Sequence, residues 1–119
     1  MILDSSLISL QIVLTAAKTT NDMDVTVDYL LWNTQNQTTK PATYRVATNG
    51  VTDVTILAAP PINFVAEPLR ICIYNKDTAD KIVIVKTDNG TTEFIDIRKN
   101  VTTLTSLIWT KATDWYSTT

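Results

Sequence analysis

Carboxylates, one thiol and a scatter of aromatic rings are the side chains whose types and spacing invite chemistry in this 119-residue chain. Asp22, Asp24 and Asp28, and separately Asp77 and Asp80, lie close enough in sequence to pair for general acid and base work of the glycosidase kind. The same oxygens could ligate calcium, but Asn21-Asp22-Met23-Asp24 lacks the central glycine and terminal glutamate of a calcium-binding loop. Aspartates are ordinary turn residues because the side chain bonds its own backbone, and that reading outweighs catalysis here. Cys72 is the single cysteine and cannot form an internal disulfide; inside Leu69-Arg70-Ile71-Cys72-Ile73-Tyr74 it reads as a small buried hydrophobe.

What is missing narrows the classes further. The chain has no histidine, which removes the usual base of nucleophilic triads and the commonest metal ligand. Its two glycines are isolated, too few for a phosphate-cradling loop. Ten basic against twelve acidic residues give a net charge of -2, no footprint for nucleic acid. No enzyme, metal or cofactor is expected. Asn-x-Thr triplets at Asn36, Asn89 and Asn100 carry no weight in so threonine-rich a chain.

The aromatics fit adhesion better than catalysis. Trp32 and Trp109 close predicted strands and Trp115-Tyr116 lies near the C-terminus, positions that suit interface anchors, while core packing is the default for Tyr29 and Phe94. The arm over residues 1–7 adds Ile2 and Leu3, which a neighbouring subunit could capture. Ile2, Leu3, Trp32, Trp109, Trp115 and Tyr116 are therefore the candidate interface residues.

A sheet must position them. The chain holds 22 Thr, 12 Ile and 10 Val, all β-branched and favoured on a pleated surface. Two-residue alternation marks strands from Ile8 to Ala16 and from Val25 to Trp32, with a polar turn between. Asn33 to Pro41 reads as an exposed loop before a short strand at Thr43 to Ala47. Asn49-Gly50 and Asn89-Gly90 predict type I′ hairpins, the first joining Tyr44–Ala47 to Val51–Leu57 and the second joining Ile82–Lys86 to Thr92–Arg98. Ala58-Ala59-Pro60-Pro61 opens a crossover between sheets that continues through Asn63 to Pro68, since proline lacks the N–H a ladder needs. Leu69–Asn75, Val101–Trp109 and Asp114–Ser117 complete about eight strands. Ile82-Val83-Ile84-Val85 is apolar on both faces and belongs in the middle of a sheet.

These features predict one all-β domain over residues 1–119, an antiparallel β-sandwich or jelly-roll-like barrel. Size scaling gives it roughly 6,400 Å² of folded surface against about 19,000 Å² unfolded, enough burial for a core without staples. Met1-Ile2-Leu3-Asp4 lacks the positive stretch of a secretory signal, and no 18-residue apolar run predicts a membrane-spanning helix.

Several segments resemble a family of small structural proteins of tailed-bacteriophage virions: Leu10-Gln11-Ile12-Val13-Leu14, Thr48-Asn49-Gly50-Val51-Thr52, Ile73-Tyr74-Asn75-Lys76-Asp77-Thr78-Ala79, Asp88-Asn89-Gly90-Thr91-Thr92 and the closing Trp115. The resemblance implies a β-sandwich virion component assembled in the host cytoplasm. It implies a capsid decoration or cement protein that binds the major capsid protein and copies of itself, as a trimer. The alternative is a tail, baseplate or fibre part that binds tail proteins or a host-surface glycan. The chain departs from the family pattern at two turns, placing Arg98-Lys99-Asn100 and Ala112-Thr113-Asp114 where glycine-containing turns are usual.

Overall fold

A computed structural model describes residues 1–118. Nine antiparallel strands form two sheets: β1 (Ser9–Leu14), β2 (Asp24–Asn33), β3 (Thr39–Ala47), β4 (Val54–Leu57), β5 (Phe64–Tyr74), β6 (Lys81–Asp88), β7 (Glu93–Val101), β8 (Ser106–Thr110) and β9 (Asp114–Ser117). One sheet has the order β4-β1-β6-β7 and the other β3-β2-β5-β8-β9. They stack as a sandwich, not a closed barrel, with 6426 Å² of accessible surface.

The core comes from the alternation. Leu10, Ile12, Leu14, Val83 and Val85 point inward from the four-stranded sheet; Val25, Val27, Ile71, Ile73 and Leu107 meet them from the five-stranded one. β6 lies inside its sheet, between β1 and β7, as its two-sided apolar character requires.

Local expectations shift at the turns. Asn49-Gly50 does reverse the chain, with Thr52 N–H donating to the Asn49 carbonyl at 3.0 Å. Yet β3 and β4 belong to different sheets, so this turn carries the chain between layers and is no hairpin. Only Gly50 has positive φ (54°), where type I′ needs two such residues. Asn89-Gly90 does join β6 to β7, through a four-residue loop. Asn89 Oδ1 accepts the N–H groups of Thr91 and Thr92 at 3.0 and 2.7 Å, and only Gly90 has positive φ.

The crossover after β4 ends at Asn63; Phe64 to Pro68 are already β5. Pro68 is tolerated because Leu69 beside it is an unpaired bulge residue and β8 pairs with β5 only from Arg70 onward. The Asn33–Pro41 loop is shorter too, since Thr39, Lys40 and Pro41 open β3, an edge strand where a missing N–H does no harm. Val101–Trp109 is not one strand: Val101 ends β7, and a turn with Leu104 at φ 60° separates it from β8. Arg98-Lys99-Asn100 is consequently strand, while Lys111 to Thr113 does form the β8–β9 turn.

One end of the sandwich is tied by buried polar groups. Asn75 donates through Nδ2 to the carbonyls of Val101 (2.9 Å) and Ala79 (3.1 Å) and accepts the Asp77 N–H at Oδ1 (2.9 Å). Asp77, also buried, accepts N–H groups from Thr19 (2.8 Å), Thr20 (2.7 Å), Asn21 (3.2 Å) and Thr78 (2.8 Å). Led by the Thr19 bond, these donors hold its carboxyl well below the ordinary value of 3.8 despite burial. Thr103 adds a hydroxyl bond to the Asp77 carbonyl, so the β1–β2, β5–β6 and β7–β8 loops are joined at one point.

Candidate functional site

The carboxylates that invited a catalytic reading are committed one by one to structure. Asp22 accepts the Thr48 hydroxyl (3.1 Å) and the Gly50 N–H (2.9 Å), fixing the layer-crossing turn. Asp24 pairs with Lys76 at 2.9 Å, and Asp28 accepts the Thr43 hydroxyl at 2.7 Å. Asp80 caps the Thr103 N–H at 3.0 Å and Asp77 is the buried tie. Among the described residues no group of three acidic, cysteine or histidine side chains is arranged to hold a metal ion.

The sheet edges carry devices that discourage strand addition. β4 and β9 have four residues each, β3 contains Pro41, and β7 is bent by an extra residue at Asp96 and carries Arg98-Lys99 beyond the bend. The faces are different.

On the five-stranded sheet, inward Val25 and Val27 leave Thr26, Asp28, Leu30 and Trp32 pointing outward from β2. Register extends this face across the sheet. Trp32 stands opposite Val65 and Leu30 opposite Glu67; Arg45, Thr26, Cys72, Ile108 and Tyr116 form a row from β3 to β9. Val65 and Ile108 share the outward parity, yet are only 7% and 6% exposed. A polar band of Thr43, Asp28, Arg70 and Thr110 separates the two apolar ends.

The six candidate interface residues divide accordingly. Trp32 and Tyr116 lie on this outer face, Tyr116 being 40% exposed. Ile2, 52% exposed, adjoins the bridge that Leu3 makes to Ala66 of β5. Leu3 is not available to a neighbour: its N–H and carbonyl bond Ala66 at 2.8 and 2.9 Å, and its side chain is buried in the chain's own core. The arm is thus docked along the flank of β5 that β8 does not reach. Trp109 is also core, opposite Ile71, and Trp115 packs behind it. Both turn inward because they share the parity of Leu107, which faces the opposite sheet. Cys72 is half-buried on the outer face, not in the core. Sequence reasoning missed Leu30, Val65 and Ile108, whose outward direction follows from their parity with Trp32, Glu67 and Tyr116.

The outer face of the other sheet is more charged. Lys86, largely covered, bridges Asp53 at 2.9 Å and Glu93. Burial opposes its charge, but the hydrogen bonds it donates to the Glu93 and Asp53 carboxylates prevail and raise its pKa above the ordinary 10.5. Where the sheets part, a cleft of about 140 Å³ is lined by Tyr29, Tyr44, Thr55, Leu57 and Ala58, below the size of a usual ligand pocket.

No family model matches the chain, and no curated protein or solved structure shows similarity to it.

Proposed function

We propose that this chain is a non-enzymatic structural protein of a tailed-phage virion, a decoration or cement protein that binds the major capsid protein and copies of itself as a trimer. The observation that carries the adhesive part of the reading is the outer face of the five-stranded sheet. Outward parity is there occupied by Leu30, Trp32 and Tyr116, together with the nearly covered Val65 and Ile108, with Arg70 between the apolar ends and Arg45 in the row of Ile108 and Tyr116. Aromatic residues and arginine are what interface centres enrich. Five strands at their usual spacing and seven or eight residues of length offer a flat area of roughly 600 Å², near one partner's share of a standard interface. Repeated over a lattice, such modest contacts add by avidity.

The virion assignment itself draws on the sequence resemblance. The tail alternative leans on the loop after Trp32, but Asn33 Oδ1 and Asn36 Oδ1 there accept backbone N–H groups of Gln35 (2.8 Å) and Thr38 (3.1 Å), leaving less amide chemistry for a glycan. Imaging of purified particles tests the reading. Density for the chain at symmetric sites on the capsid lattice is expected; its presence only in the tail, or its absence from the particle, overturns the capsid role.

A further inference from the structure

Two Asn-Gly pairs occur in the chain, and their surroundings differ. In the β6–β7 loop the Gly90 N–H donates to Asp88 Oδ1 at 2.8 Å. A carboxylate thus already holds the proton of the backbone nitrogen that can close a five-membered ring on the Asn89 side chain. Asn89 Oδ1 accepts the Thr91 N–H at 3.0 Å, the Thr92 N–H at 2.7 Å and the Thr91 hydroxyl at 3.1 Å. Donors at such distances polarise the amide carbonyl and steady the negative charge its oxygen takes on under attack, as in an oxyanion hole. Gly90 is exposed, and no neighbouring atom lies within 4 Å of the place a Cβ would occupy, so its nitrogen can swing without displacing anything.

At Asn49-Gly50 the carboxylate is present but the freedom is not. Gly50 N–H donates to Asp22 Oδ1 at 2.9 Å, and Asp22 is shared with the Thr48 hydroxyl and Lys18. The Gly50 carbonyl accepts the Leu14 N–H at 3.0 Å, and a Cβ on Gly50 would sit 3.5 Å from Ala17 Cα. Moving that nitrogen strains the joint between β1 and the layer-crossing turn.

We propose that Asn89 is a site of self-modification, converted without an enzyme to aspartate and isoaspartate through a cyclic imide. Asp88 takes the proton from the Gly90 nitrogen, which forms a bond to Asn89 Cγ. The Cγ–Nδ2 bond breaks, and ammonia leaves carrying that proton. Water then adds to one of the two ring carbonyls and opens the ring, giving aspartate or isoaspartate according to which carbonyl it attacks. The rate gain comes from an intramolecular nucleophile and from a base within hydrogen-bond reach of the proton it removes. Each event adds one negative charge to a net of -2, and isoaspartate threads an extra carbon through the backbone that joins β6 to β7. The inference goes beyond the adhesive reading and holds for the chain on or off a particle.

The test is incubation of the full chain at neutral pH in water enriched in heavy oxygen, followed by peptide mass mapping and labelling with an isoaspartyl methyltransferase. Heavy oxygen is expected in the peptide that carries Asn89, partly as isoaspartate, at a rate at least about tenfold above that of the Asn49 peptide. Asp88→Ser keeps an acceptor for the turn but removes the base, and should slow the reaction at Asn89 by at least about tenfold. In strong urea, where both loops are lost, the two asparagines should react alike. The proposal is overturned by equal rates at Asn89 and Asn49 in the folded chain, by an Asp88→Ser rate equal to that of the wild type, by product free of isoaspartate, or by a preference for Asn89 that persists in urea. The comparison between the two asparagines is made within the wild-type chain, so it decides the matter even where the variant does not fold.

Discussion

Replacing Asn75 by leucine should destabilise the fold far more than a change of one similarly sized side chain suggests. Asn75 is fully buried and makes three bonds, to the Val101 carbonyl at 2.9 Å, the Ala79 carbonyl at 3.1 Å and the Asp77 N–H at 2.9 Å. Leucine fills the volume but leaves those backbone groups without that partner. An abandoned buried polar group costs about 1 to 3 kcal/mol, so two buried groups and one partly exposed group together cost about 3 to 5 kcal/mol. Against the roughly 5 to 15 kcal/mol of a whole domain that is a large fraction, and the melting temperature should fall by about 12 to 20 °C. Urea titration followed by tryptophan fluorescence, with thermal melts by circular dichroism, measures both. A loss below about 1 kcal/mol with an unchanged denaturant slope would refute the claim that this polar cluster ties the three loops together.

Asp77→Asn addresses the same cluster through pH. Because the folded carboxyl is held below its ordinary 3.8, its contribution is complete above that value and fades as pH falls beneath it. The variant should be less stable at neutral pH, and its urea midpoint should depend less on pH below about 4 than the wild type's. Trp109→Ala should cost about 3 to 5 kcal/mol in urea titration, being a core truncation, whereas Trp32→Ala should stay within about 1 kcal/mol and instead reduce particle occupancy. Gly50→Ala places a Cβ 3.5 Å from Ala17 Cα, an ordinary contact, so φ strain alone should cost about 1 kcal/mol, read as a melting temperature about 4 °C lower.

The strands were legible where alternation runs unbroken. Val25, Val27, Tyr29 and Leu31 all face the core, so the outward direction of Trp32 follows from counting. It fails at Leu69, where an extra residue flips the parity of β5, so alternation predicts a strand only from Leu69 onward. The β7–β8 turn was hidden because no glycine or proline marks it. Leu104 takes the left-handed conformation there, its N–H donating to the Asn75 carbonyl at 2.7 Å, a partner far away in sequence. Asn49-Gly50 announced a reversal but not its destination, since pairing depends on which layer each strand joins. For the candidate site, the sequence did not show that Leu3 and Trp109 turn inward, because the capture of a terminus by β5 and the register of β8 are tertiary facts.

The ends of the described chain are both attached to one layer, Leu3 beside β5 and β9 at the rim next to β8. Mechanical tension applied through the C-terminal end would therefore peel β9 from β8 one rung at a time, four residues deep, before it reached the strand bearing Trp109 and Leu107. Such an edge gives way gradually, like a tear strip, while the layer formed by β4, β1, β6 and β7 carries none of that first load.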